Sequence, residues 1–202
     1  MKDLVVLTAD GTMLAALSAI LARLQDLGGR KIEFDVYPHH RRDPGVRIGA
    51  QEFLRPFLNS HRYALAAFDR NGCGSTETAG RIGAEVQDNL VANGWRDRCV
   101  VLVLDPELEI WVWSNSPAVA RALGWRDYDT LRQWLRVRGY FKAEEAKPTQ
   151  PKEAMEDALR ESKVRKSAAV YTKIAAAVDL RLCSDASFTG LRRILTTWFP
   201  PG

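Results

Sequence analysis

Hydrophobic and polar positions in the first half of the chain switch repeatedly between two rhythms. Leu4 to Leu7 is a short β-rich apolar run, read as a first strand, and Thr8-Ala-Asp10-Gly11-Thr12 turns the chain. Leu14, Leu17, Leu21 and Leu24, with Ile20 and Leu27 beside them, then recur at helical spacing until Gly28-Gly29 stops the helix. Ile32, Phe34 and Val36 alternate with polar residues, as in a strand near a sheet edge. After a loop from Tyr37 to Gly45, rich in Pro, Gly and cations, Phe53, Leu54, Phe57 and Leu58 mark a helix that Pro56 should kink. Tyr63 to Phe68 is a buried-type strand that ends abruptly at Asp69-Arg-Asn71-Gly-Cys-Gly74. Ser75 is the expected cap of the next helix, striped by Ala79, Ile82, Val86 and Leu90 and closed by Asn93-Gly94. Cys99 to Leu104 is the most strand-like run of all and suits the centre of a sheet. Asp105-Pro106-Glu107 reads as a helix start, with an Asp cap and Pro at the first helical position.

From Ser116 onward the rhythm is helical. Ser116-Pro117 opens a short helix ending at Gly124, and a second carries Leu131, Trp134 and Leu135 to Gly139. Phe141 to Pro151 reads as a polar linker. Three further helices follow, striped by Met155 and Leu159, by Val170, Tyr171, Ile174 and Val178, and by Phe188, Leu191, Leu195 and Trp198. Strand and helix alternate four times before this point. Right-handed crossovers then predict an α/β fold: a three-layer sandwich with a mainly parallel four-stranded sheet, plus a helical C-terminal cap. The division is placed at residues 1–140 for the α/β part and 141–202 for the helical extension packed on it.

Composition narrows the picture modestly. Of the 202 residues, 46% are apolar and 27% charged, as in a soluble globular protein. No apolar run approaches the roughly 20 residues that span a bilayer, and no signal-peptide pattern precedes the first strand, so a cytoplasmic location is expected. Cys73, Cys99 and Cys183 are an odd number without CxxC spacing, which argues against a disulfide framework and a structural zinc site. The net charge of +4 permits nucleic-acid binding without requiring it.

Candidate chemistry gathers at strand ends. Asp10 follows the first strand, and Asp69 and Asn71 follow the third. In a doubly wound sheet those ends are often neighbours at the switch-point crevice. Such oxygen ligands suit Mg²⁺ or Mn²⁺. Gly11, Gly72 and Gly74 would let a phosphate backbone come close, and Cys73 in its glycine turn would be exposed. The plain alternative is that Asp10 and Asp69 are ordinary turn or cap residues. Glu109 lies past the fourth strand on the same edge, as a third carboxylate or a general base. Glu107 reads as a complement to its own helix dipole. Lys152 and Lys173 are candidate phosphate contacts. The basic stretches His39-His40-Arg41-Arg42, Arg160 to Lys166 and Arg192-Arg193 read as solvated faces or as a basic surface for phosphates. His61 has no partner identifiable from sequence. There is no GxSxG elbow, no Walker-type loop and no GxGxxG.

Val5-Val-Leu-Thr-Ala-Asp10-Gly11-Thr12, Phe68-Asp69-Arg-Asn71-Gly72, Pro106-Glu-Leu-Glu109-Ile-Trp111, Pro151-Lys152-Glu and Tyr171-Thr-Lys173 together resemble the Toprim-related proteins of bacterial defence islands. The nearest resemblance is to the small Toprim-like component of methylation-associated anti-phage systems. It implies a metal-dependent nuclease acting on DNA or RNA, working with other proteins of the same defence system. Mg²⁺ would sit on Asp69, Asn71 and Glu109, with Asp10 as the proton-transfer group. Two departures matter. Asp10 stands where the family has Glu, one methylene shorter, and Asn71 stands where it has a second Asp. Both allow a degenerate site that binds nucleic acid or a partner protein without cutting. A flavodoxin-like phosphate loop at Thr8–Thr12 and a receiver-type acidic site are further readings. The first lacks an aromatic flavin bracket, the second the Thr/Ser and Lys expected after later strands.

Overall fold

A computed structural model describes residues 1–114, 116–142, 145–183 and 185–202. Four strands, β1 (Lys2–Thr8), β2 (Phe34–Pro38), β3 (His61–Asp69) and β4 (Cys99–Leu104), form one all-parallel sheet in the order β2-β1-β3-β4. Leu4 to Thr8 and Ala64 to Phe68 are fully buried, because β1 and β3 are covered on both faces. The helices α1 (Gly11–Ala22), α2 (Arg42–Leu54) and α3 (Ala79–Leu90) make the three crossovers. Helices α2 and α3 pack on one face. On the other lies α1, joined by α8 (Ala168–Ala177) and α9 (Ala186–Trp198). The expected α/β three-layer architecture with a four-stranded parallel sheet is therefore present.

Several local expectations are corrected. The core stripe of α1 is Met13, Ala16, Leu17, Ile20 and Leu21, so Leu14 is only half-buried. Leu24 and Leu27 belong to a separate 3-10 turn that ends at Gly28 in the left-handed region, φ 94°. Helix α2 starts at Arg42, inside the expected loop. Gly45 is required there: a Cβ would clash with the His39 ring and the Arg41 side chain. Thr78, not Ser75, caps α3 by accepting from Arg81 N. Strand β4 lies at an edge of the sheet, not its centre; its apolar run is covered by α3 on one face and α9 on the other. Cys73 is fully buried rather than exposed, and all three cysteines are free thiols.

The Asp105–Pro106 peptide is cis, and the expected helix start there is absent. A single turn, α4 (Glu109–Val112), begins later. Among the described residues the remaining α-helices are α5 (Pro117–Ala122), α6 (Tyr128–Val137) and α7 (Pro151–Glu161). Asp127 caps α6 by accepting from Thr130 N, and Ser116 caps α5 by accepting from Ala118 N. The expected linker 141–151 includes Ala143 and Glu144, which lie outside the described residues. Its described part is tied down: Phe141 is buried beneath the Arg132 guanidinium, and Lys147 pairs with Asp185 at 3.1 Å. Sheet, α1 and the C-terminal helices share one hydrophobic core, so the two stretches pack as one unit. No helix among the described residues is long and apolar enough to cross a membrane.

Candidate active site

The chain order reverses between β1 and β3, which makes their carboxyl ends the switch point of the sheet. Register then sets the height of the acids. Thr8 pairs with Ala67, so Asp10 and Asp69, each two residues further on, stand level across the crevice. Asp10, Asp69 and Glu109 line one small cleft with Lys152, Lys166 and Tyr171.

Each acid is held differently. Asp10 caps α1, its Oδ1 accepting from Thr12 N and Met13 N at 2.9 Å. The cap reading of Asp10 is thus correct, yet its second oxygen is left for the cleft. Asp69 Oδ1 accepts from Leu108 N at 2.9 Å, which ties β3 to the segment leading into α4. Glu109 is buried; its Oε1 accepts from Tyr171 O–H at 2.5 Å and lies 3.6 Å from Lys166 Nζ. The second carboxylate oxygens of Asp69 and Glu109 have no hydrogen-bond partner among the described residues.

Burial and mutual repulsion dominate the electrostatics. Asp69 is pushed up to about 8, first by burial, then by the charges of Asp43 and Glu109. Burial likewise raises Asp43, and burial with the Glu109 charge raises Glu107. Burial works to discharge Lys152, but the carboxylates of Glu109, Glu107 and Asp69 outweigh it and hold the ammonium above its ordinary value. Burial, then the charge and hydrogen bond of Glu109, raise the Tyr171 hydroxyl far above its ordinary range. Tyr171 is therefore a permanent donor to Glu109.

Other expected site residues lie elsewhere. The Asn71 side chain is exposed and outside the cleft lining; its backbone N–H donates to Pro106 O. Gly11 and Gly72 are exposed and outside the cleft lining, with open space where a Cβ would stand, and Gly72 has φ 85°. Lys173 is exposed on α8, outside the cleft lining. His39 and His40 stack at 4.6 Å, while His39 Nδ1 accepts from Arg41 N. Among the described residues no group of three or more His, Cys, Asp or Glu is arranged to hold a metal ion. One divalent cation is still compatible with the donor set. Mg²⁺ uses one or two carboxylates with waters and substrate phosphate, and Asp69 and Glu109 each present a hydrogen-bond-free oxygen to the same cleft.

Four residues of the site take roles not read from sequence, one of them Tyr171 as the donor to Glu109. Asp43 Oδ1 accepts from Asp69 N at 2.8 Å, fixing the end of β3 from the first turn of α2. Lys166, read as part of a solvated face, bridges Glu109 and Glu156, the latter at 2.8 Å. Glu107 serves α7 rather than its own helix: its Oε1 accepts from Lys152 N at 3.2 Å, where Gln150 gives no side-chain cap. Only the Asp-Pro-Gly composition of residues 43–45 hinted at a helix start near Asp43. Comparison with protein-family models, curated proteins and solved structures gives no match in any of the three.

Proposed function

We propose that the cleft is a Toprim-like site acting on the phosphodiester backbone of DNA or RNA, within a bacterial anti-phage system. The observation that carries the reading is the convergence of Asp10, Asp69 and Glu109 with Lys152 and Lys166 at the β1/β3 switch point. Asp69 and Glu109 would hold one Mg²⁺ or Mn²⁺; Asn71 is placed outside this set. The cation would supply charge neutralisation at the phosphate. Lys152 and Lys166 bring ammonium groups to where phosphate oxygens would lie. Asp10, with one oxygen committed to the α1 cap, offers the other for proton transfer. Tyr171 and Lys166 orient Glu109.

The test is cleavage of plasmid and of single-stranded RNA, with Mg²⁺ or Mn²⁺, by wild type and Asp69→Ala. Cleavage by wild type and its loss in the variant are expected. Activity that survives the substitution sinks the assignment. In cells, reduced phage plating that depends on Asp69 supports the defence role.

A second reading is favoured by one observation. Glu109 is already engaged by Tyr171 and Lys166, and the position expected to carry a second Asp is an exposed Asn. On that reading the site binds nucleic acid or partner proteins of the system without cutting. Retained nucleic-acid binding, no cleavage, no thermal shift with Mn²⁺ and co-purification of neighbouring gene products would establish it.

A further inference from the structure

The opposite edge of the sheet carries a side-chain chain that the cleft does not use. His61 opens β3, Asp35 lies in β2, and Lys2 opens β1 between them. His61 is buried, at 3% exposure, and both ring nitrogens are engaged. Its Nε2 lies 3.0 Å from Asp35 Oδ2, and its Nδ1 lies 2.9 Å from Ser60 Oγ. Lys2 Nζ donates to both Asp35 oxygens, at 2.7 and 2.8 Å. The four residues share an open surface basin with Phe57 and Asn59.

Hydrogen-bond logic assigns the protons. The Lys2 ammonium holds Asp35 ionised, below its ordinary range, with a smaller contribution from His61. An ionised carboxylate only accepts, so the neutral His61 ring places its proton on Nε2, toward Asp35. Nδ1 is then a bare acceptor facing the Ser60 hydroxyl. When the ring takes up a second proton, Nδ1–H donates to Ser60 Oγ, and the Ser60 hydroxyl has Phe57 O at 3.2 Å as its acceptor. Both protonation states of the ring are satisfied without moving a heavy atom. The Phe57 ring, edge-on to His61 at 5.4 Å, keeps the imidazole in place.

We propose that Ser60, His61 and Asp35 form an acyl-transfer site, with exposed Ser60 as nucleophile toward small activated esters and Asn59 beside it as an amide donor to the carbonyl oxygen. This is the Ser-His-Asp arrangement recognised by roles rather than by sequence order. Ser60 Oγ bonds to the ester carbonyl carbon as its proton passes to His61 Nδ1. The bond from that carbon to the leaving oxygen breaks, and the leaving oxygen takes the proton from His61. Water, deprotonated by the same nitrogen, then releases the acid and restores the hydroxyl.

Two probes test it: an alkyl fluorophosphonate followed by intact mass and peptide mapping, and p-nitrophenyl acetate followed by absorbance. In the first, the Ser60 oxygen bonds to phosphorus, the P–F bond breaks and fluoride leaves. One adduct on Ser60 and release of nitrophenolate are expected from wild type. Both should vanish in Ser60→Ala, and labelling should slow about a hundredfold in Asp35→Asn and His61→Gln, the scale of a lost general base. No adduct on wild type, or equal labelling of Ser60→Ala, overturns the proposal. Because Ser60 is exposed, its variant keeps the test decisive even if His61→Gln fails to fold.

Discussion

At the scale of single residues, the candidate site shows how burial converts an ordinary strand-end acid into a titratable one. The Asp69 carboxyl ionises near 3.8 when unfolded but keeps its proton to about 8 in the fold. The folded chain binds the extra proton between those values. Its contribution to stability therefore falls as pH rises from about 4 toward 8 and stays lost above. Asp69→Asn removes the ionisation while leaving an oxygen to accept from Leu108 N. Its melting temperature should exceed that of wild type by on the order of 5 °C at pH 9, with the gap closing toward pH 5. Melting curves across that range check the prediction. Mn²⁺ should raise the wild-type value at pH 8 and leave Asp69→Asn unchanged, because a ligand stabilises only the chain that binds it. Tyr171→Phe deletes the donor to buried Glu109 and should cost about 1–3 kcal/mol, read from urea midpoints.

Secondary-structure elements show which local signals were sufficient. Asp10 and Ser116 were legible as turn or helix-start residues and do cap their helices, because a cap needs only its own next three residues. Asp105-Pro106-Glu107 carried an equally strong local signal and makes no helix start. Asp69 takes the Leu108 N–H and α7 takes the Glu107 carboxylate, so tertiary partners claim the groups a local cap would use. Glu107→Ala should therefore destabilise α7 and the whole protein by about 1 kcal/mol. Glu107→Gln, which keeps a carbonyl acceptor for Lys152 N, should cost much less. Chemical denaturation of the pair separates capping from charge.

For the whole molecule, the boundary suggested near residue 141 does not divide the core. Arg23 of the turn after α1 donates to Ala175 O and Val178 O at the end of α8. The Trp113 indole donates to Pro151 O, Tyr63 stacks on Trp198 at 4.4 Å, and Arg192 reaches Leu27 O. Removing residues 141–202 strips α8 and α9 from the α1 side of the sheet and deletes Lys152, Lys166 and Tyr171 from the cleft. The truncated chain is expected to aggregate or to lose cooperative unfolding, whereas the full chain should unfold in one transition by both fluorescence and circular dichroism. Two separate transitions in the full chain would show that the halves are independent.

The sequence by itself determined the strand–helix alternation, the parallel sheet and the position of Asp10 and Asp69 just past strand ends at its carboxyl edge. Those follow from periodicity and from the one crossover hand that twisted strands allow. Only the tertiary structure decided which groups share the cleft. Lys166 and Tyr171 reach it from 57 and 62 residues beyond Glu109, and Asp43 holds Asp69 from 26 residues before it; that approach is set by packing across layers. The same holds for β4, whose apolar run reads as central but lies at the edge: hydrophobicity reports that a strand is covered, not which neighbours pair with it.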